Sequence, residues 1–419
     1  MVITILTTGT RGDTQPYIAL GLELKKAGHT VRIAAFENYE TFVKSYGLDY
    51  YPIEGDVASV ASSEEARDAT KADNPLKLIL SFNTLKSFVV DVQKDFYHAC
   101  SGSDAIVYHP GAPIGYFAAQ YLKIPGILAT PFPMTPTKEY PALIFYNTVR
   151  LGKGFNVATH KLFERVMWFA SSSAVKQFWT KEFGHPPEDF ACPFGKQNTR
   201  TNPTIISCSN HVFPRPDDWP EHVKSTGYWF LDETSDWKPS AELEDFIQKG
   251  TPPVYVGFGS IGDPTLAVET TALVIEALKI SEQRGILATG WSGLSNIDNI
   301  PENIFVLESA PHSWLFPRMA AVVHHGGAGT TAAGLGAGVP GIIISHSNDQ
   351  FAWGRRVFEL GAGSKPIPRN KLTAEKLSEA IKSVLKKEIK DTARVLGMKI
   401  RCENGAKTAA KIIIGCLES

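Results

Sequence analysis

Residues Ala320–Gln350 read AAVVHHGGAGTTAAGLGAGVPGIIISHSNDQ, and the fold class follows from this stretch. Ala321–Val323 is an apolar, β-branched run of strand type that ends in His324 and His325. Glycines and small residues come next, and a helix is predicted from about Ala328. Ile342–Ile344 then form a second apolar run that leads to Asp349 and Gln350. A strand that passes through glycines into a helix N-terminus is a cradle for phosphate. Glycine permits close approach of the backbone, and the free amides at the positive helix end attract anions. Two histidines at that mouth can add ring donors.

The same residues admit a second reading. Gly327, Gly329 and Ala332 fit G-x-G-x-x-A, and Asp349 lies 20 residues past Gly329, which is the spacing of a dinucleotide fingerprint. The acid of that fingerprint sits at the end of the next strand. Here His346, Ser347 and Asn348 stand between Ser345 and Asp349, and the histidine pair has no role. A glycine-rich turn with no ligand is the third possibility.

At 419 residues the chain has room for two domains, and its hydrophobic content of 43% is enough for a core in each. Lysine plus arginine number 42 and aspartate plus glutamate 43, so no strongly charged partner such as a nucleic acid is indicated. The five cysteines (Cys100, Cys192, Cys208, Cys402 and Cys416) are odd in number and show no metal-ligand spacing, so reduced thiols are expected. No run approaches the length of a membrane span, and Val2–Leu6 is too short for a secretory leader. The expectation is a cytoplasmic protein whose contact with membranes is at most peripheral.

The first half opens on another strand and turn. Val2–Thr7 reads as a buried strand, Thr8–Asp13 as a turn, and about Gln15–Ala27 as a helix with Pro16 in its first turn. Thr30–Ala35 is the next strand, which completes a βαβ unit of a parallel sheet. Ligands of such sheets lie at the carboxyl ends of the strands, so Asp13 stands at a crevice rim. Taken alone, Asp13 also reads as a helix N-terminal acid that complements the dipole. Further strands are expected at Leu48–Pro52, Ala105–Tyr108, Gly126–Ala129, Thr204–Ser207 and Thr226–Phe230. Glu54–Asn74 reads as a surface loop, and Lys77–Ala99 and about Thr159–Phe183 as long helices. His109 follows one strand end and faces the crevice or serves the structure. Phe82 lies on the apolar stripe of the first long helix. Pro131–Tyr146 sets Phe132, Met134 and Tyr140 among prolines, a stiff wall for an apolar ligand or plain packing.

Leu231–Gly250 is polar and acidic with no apolar rhythm, and the domain boundary is placed there. Val254–Phe258 opens a second sheet and runs into Gly259 and Ser260, so each half begins with strand, small-residue turn and helix. Gly285–Thr289 is a strand ending before Trp291, and Phe305–Leu307 another, followed by Ala310, Pro311 and His312.

HHGGAGTTAAGLGAGVP followed by NDQ resembles the donor-site signature of family 1 glycosyltransferases of the GT-B fold. The nearest look is to sterol 3-β-glucosyltransferases and to bacterial glycopeptide and macrolide glycosyltransferases. The likeness runs over nearly the whole chain and is weakest between about Glu54 and Gln197.

This resemblance implies an α/β chain of two Rossmann-like domains with parallel sheets facing across a cleft. The acceptor domain is expected over 1–235 and the nucleotide-sugar domain over 236–402, with 403–419 as a helix crossing back to the first. It implies an inverting transfer of a hexose, glucose first, from a UDP-sugar to an apolar alcohol such as a sterol, triterpenoid, flavonoid or polyketide. Asp13, in the loop G-T-R-G-D-T-Q-P, matches the family's catalytic base, with Gly12 beside it at the donor. His325 matches the diphosphate histidine, together with Gly327, Ala328, Gly329 and Thr330. Ser260 matches the hydroxyl near the diphosphate, and Asp349 and Gln350 the pair that holds sugar hydroxyls. Plant relatives stack the base on a tryptophan where this chain has Ser309. Trp291 is the replacement expected here, with Ala310 and His312 on the segment that meets the base. His109, Phe82, Phe132, Met134 and Tyr140 are the expected acceptor contacts. The chain has no DxD triplet, so neither a metal nor any other cofactor is expected beside the donor. The alternatives are an NAD(P)-dependent oxidoreductase, on the fingerprint, and a nucleotide-sugar-binding protein without activity.

Overall fold

The computed structural model describes residues 1–55, 86–148, 151–196, 202–231, 237–258, 267–289, 300–346 and 348–418. The chain divides into two compact units. Met1–Leu231 with Glu403–Ser419 form one, and Asp232–Cys402 the other.

The first unit is built on a parallel sheet of seven strands: β1 (Val2–Leu6), β2 (Thr30–Phe36), β3 (Asp49–Ile53), β4 (Ala105–Tyr108), β5 (Gly126–Thr130), β6 (Thr204–Ile206) and β7 (Val223–Ser225). Their order is β3-β2-β1-β4-β5-β6-β7. Ile3, Ile5, Ile33, Ile106, Val107 and Ile127 are fully buried, as strands covered on both faces require. The chain leaves β1 in one direction and returns to its other side at β4. That reversal opens a crevice at the carboxyl ends of β1 and β4. The last helix, Gly405–Leu417, packs on the helix Arg11–Lys26, with Ala409 and Ile413 in the core of this unit. Its first residue needs glycine. A Cβ on Gly405 would lie 2.4 Å from the Tyr228 carbonyl oxygen and 2.5 Å from that of Gly227.

The second unit carries β8 (Val254–Gly257), β9 (Gly285–Ala288), β10 (Ile304–Leu307), β11 (Ala321–His324), β12 (Gly341–Ser345) and β13 (Ile367–Pro368). All six are parallel, in the order β10-β9-β8-β11-β12-β13. The reversal here falls between β8 and β11, so the glycine turn after β11 lies at this unit's own crevice.

Three expectations are corrected. The helix after β1 begins at Arg11, not near Gln15, because Thr10 caps it and Asp13 closes the box three residues on. Residues 226–230 are not a strand; the edge strand is Val223–Ser225, and Trp229 turns into the core instead. Within the polar stretch 231–250 the structure holds a helix, Ala241–Gln248. The Ser240 hydroxyl caps it by accepting from the Leu243 amide at 3.2 Å, and buried Leu243 anchors it. The short edge strand β13 had no signal in the sequence beyond two residues.

Candidate functional site

At the first reversal, Asp13 is the third residue of the helix Arg11–Lys26. Its Oδ2 accepts from the Thr10 amide at 2.7 Å and from the Thr10 hydroxyl at 3.0 Å. Burial raises the carboxyl above its ordinary pKa, and the two Thr10 hydrogen bonds pull it down by less. One turn on, the Tyr17 hydroxyl donates to the Ala129 carbonyl at 2.6 Å, and its ring stands edge-on to His109 with centroids 6.0 Å apart. His109 follows β4. Its Nδ1 accepts from the Gly111 amide at 3.0 Å, and burial pushes its pKa down to about 4, so the ring is neutral near pH 7. The carboxyl ends of β1 and β4 thus bring Asp13, Tyr17 and His109 together, and Gly12 precedes Asp13 on the helix.

Gly9 makes this loop possible. Its φ is +109°, and a Cβ there would lie 2.3 Å from the Asp13 Oδ2. Gly9→Ala is therefore expected to displace the Asp13 carboxylate from Thr10 and to lower the melting temperature by several degrees. Thermal unfolding of the variant beside the wild type checks this. An unchanged melting temperature would contradict it.

The loop after β5 is held by the long helix Lys153–Phe183, which starts six residues before its expected beginning. Asn156, Thr159 and His160 share one face and reach the loop. Asn156 donates to the Lys138 carbonyl at 2.8 Å, and the Thr159 hydroxyl accepts from the Ala142 amide at 2.9 Å. His160 is fully buried between two carbonyls, with Nδ1 3.1 Å from Met134 O and Nε2 3.0 Å from Tyr140 O. Phe132 meets Phe163 at 5.8 Å, Tyr140 meets Phe213 at 5.4 Å, and Met134 lies in the core. The sequence did not single out His160, because its partners lie 20 and 26 residues away. His160→Ala should destabilise the fold by about 2–4 kcal/mol through a lost hydrogen bond and a cavity, read from denaturant unfolding.

At the second reversal, β11 ends in His324, whose Nδ1 accepts from the Gly326 amide at 3.1 Å. Gly326 has φ +95°, and a Cβ there would lie 2.7 Å from Ile343 Cγ2, so only glycine fits the turn. Gly327 is the N-cap of the helix Ala328–Ala337 and supplies no side-chain cap. By helix geometry the amides of Ala328, Gly329 and Thr330 have no acceptor within the helix. The His325 ring folds over Gly327, where an added Cβ would lie 2.5 Å from its Nε2. Its Nδ1 is enclosed with no hydrogen-bond partner. Burial first, and then neighbouring His346, push the His325 pKa down to about 4. His324 is lowered further, by burial and then by His325 and His312.

Asp349 and Gln350 lie in the first turn of the helix Asn348–Glu359. Buried Gln350 accepts through Oε1 from the His346 amide at 2.8 Å. This turn and β11 therefore close on the same end of the sheet. His312 stacks on Phe316 with centroids 4.2 Å apart and meets Tyr255 edge-on at 6.0 Å; Ala310 packs beside them. Ser260, Trp291 and Phe82 lie outside the described residues. Among the described residues no cluster of histidine, cysteine and carboxylate could hold a metal ion. An uncapped helix end under a histidine ring, next to an acid–amide pair, can bind a diphosphate and the hydroxyls attached to it.

Two family models match the chain. The family 28 glycosyltransferase N-terminal domain covers residues 3–141, and the erythromycin biosynthesis protein CIII-like C-terminal domain covers residues 276–418. A sterol 3-beta-glucosyltransferase of Arabidopsis thaliana is 35% identical over 97% of this chain, and one of Candida albicans is 37% identical over 99%. The chain spans 66% of the length of the first and 28% of the second. The crystal structure of the glycotransferase of kitacinnamycin superimposes with a TM-score of 0.73 at 19% identity, covering 99% of both chains. That of the Streptomyces sp. SF2575 glycosyltransferase SsfS6 with thymidine diphosphate gives 0.65 at 18%, again over 99% of both. The two parallel sheets and these similarities agree: the chain belongs to the GT-B glycosyltransferases.

Proposed function

We propose that this chain is an inverting transferase that moves glucose from UDP-glucose to a hydroxyl of a flat, apolar alcohol. A sterol is the first choice of acceptor; triterpenoid, flavonoid and polyketide alcohols come next. The observation that carries this reading is that one unit holds an ionisable carboxylate, Asp13, at its sheet reversal, and the other an uncapped, histidine-lined helix end at its own. The relatives named as sterol 3-beta-glucosyltransferases support the sugar and the acceptor class. The thymidine diphosphate complex of SsfS6 makes TDP-sugars the second choice of donor.

In the proposed reaction Asp13 takes the proton of the acceptor hydroxyl. The oxygen attacks the anomeric carbon from the face opposite the diphosphate, the bond from that carbon to the phosphate oxygen breaks, and its electron pair leaves with UDP. His325 and the amides of Ala328, Gly329 and Thr330 stabilise the growing charge, as oxyanion-hole donors do. Asp349 and Gln350 hold sugar hydroxyls, the carboxylate accepting and the amide both donating and accepting. Phe132 and Tyr140 border the acceptor. The proposal needs no metal.

The test is UDP release from UDP-glucose with sterols, flavonoids and macrolides as acceptors, with and without EDTA. Acceptor-dependent, EDTA-resistant release with inverted product stereochemistry is expected. UDP binding without release on any acceptor favours a binding protein, and preference for a nicotinamide cofactor over UDP would overturn the reading.

A further inference from the structure

We infer that His346 is the second imidazole of the donor cradle and gives a hydrogen bond from Nε2 to the diphosphate of the nucleotide sugar. This rests on the donor reading above. The sequence offered the adjacent pair His324–His325 for that task, and the structure separates the two. His324 has spent its Nδ1 on the Gly326 amide and is buried at the end of β11. His325 and His346 each keep one enclosed ring nitrogen with no partner, Nδ1 in the first and Nε2 in the second.

Placement supports the pairing. His346 is the first residue past β12, and Phe258 the first past β8. These two strands flank β11 on either side. The rings of Phe258 and His346 nevertheless meet, with centroids 6.1 Å apart and planes at 54°. Their contact therefore crosses the end of β11, where the glycine turn begins. His346 also bears on His325 and feels the charge of Arg369. Its backbone is fixed, since its amide donates to the Gln350 Oε1 at 2.8 Å. A buried, unpartnered polar atom is uncommon in a native protein and calls for an explanation. In the tautomer protonated at Nε2 the missing partner is an acceptor, and a diphosphate oxygen over the uncapped helix end supplies one.

The test is calorimetric titration of UDP, UDP-glucose and uridine into the wild type, His346→Phe and His346→Asn. Phenylalanine keeps a ring against Phe258 and removes the nitrogen; asparagine keeps a donor. The expected result is that His346→Phe binds UDP and UDP-glucose about ten- to a hundredfold more weakly, with uridine unchanged. His346→Asn is expected to recover part of the loss. Unchanged UDP affinity in His346→Phe, at an unchanged melting temperature, would overturn the inference while leaving the donor reading intact. Equal weakening of uridine would overturn it in favour of plain packing. A loss confined to UDP-glucose would assign the ring to the sugar instead. Should His346→Phe fail to fold, His346→Gln replaces it, and UDP affinity equal to wild type in both amide variants with no loss in a His346→Ala variant sinks the claim. Absence of UDP or TDP binding to the wild type overturns both this and the donor reading.

Discussion

Asp13→Asn is expected to lower kcat by about 10²–10⁴-fold and to leave UDP affinity within a factor of two. The amide cannot accept the acceptor proton, whereas the donor cradle belongs to the other unit and is untouched. The fold should tolerate the change, because the amide oxygen can still accept from the Thr10 amide and hydroxyl. Burial raises the carboxyl, so the ionised form is disfavoured in the folded state. The sign for stability follows. A raised folded pKa means that the folded protein holds its proton more tightly than the unfolded chain, so this group favours folding more as pH falls. Asp13→Asn is thus expected to leave the melting temperature at pH 7 unchanged or higher. For activity the sign is opposite. Only the carboxylate is a base, so turnover falls as pH drops through the raised pKa, and the acid limb lies above the ordinary carboxylate range. A pH profile of kcat with a saturating acceptor reads that limb. Near-wild-type turnover in Asp13→Asn would remove Asp13 from the mechanism.

His325→Ala is expected to lower kcat by about 10²–10³-fold, the range for loss of one preorganised donor to a developing anion. UDP affinity should fall as well, since in the proposed complex the same ring faces the diphosphate in ground and transition states. The free ring is neutral near pH 7, with its pKa down at about 4. A bound diphosphate favours the protonated form and raises that value. UDP affinity of the wild type should therefore strengthen as pH falls through the pKa of the complex toward the free value of about 4, and His325→Ala should flatten that slope. Calorimetry of UDP at a series of pH values checks the slope, and steady-state kinetics the rate. The Gly327 position offers an independent route to the same ring. An alanine there has an allowed φ of −62° but drives its Cβ into the His325 ring, so it should reproduce part of the kinetic loss without unfolding the helix. A wild-type rate in both variants would leave the diphosphate without its histidine.

The two glycine turns were legible because each is local. A β-branched run, a glycine and a helix start lie within about ten residues at Val2–Asp13 and at Ala321–Thr330, and short-range pattern suffices to read them. Boundaries were less legible where a cap decides them. Thr10 drew the first helix forward by four residues, and Ser240 with Leu243 made a helix in a stretch that had read as linker. Residues 226–230 carry strand-forming side chains, yet Trp229 serves the core, its indole nitrogen donating to the Thr226 hydroxyl at 3.0 Å. Tertiary packing overrode β propensity there.

By itself the sequence determined the alternation of strand and helix, the parallel character of buried apolar strands, and the two turns fit for chemistry. Each depends on neighbours in the chain. Strand order does not, since nothing in the periodicity of β1 says that β4 rather than β3 will lie beside it. Only the tertiary structure set that order, and with it the two reversals that bring His109 to Tyr17 and His346 across β11 to Phe258. The staple from His160 to Met134 and Tyr140 has the same origin. These contacts join residues that lie 20 to more than 90 positions apart, 88 for His346 and Phe258, and a pattern read over neighbouring residues cannot specify them.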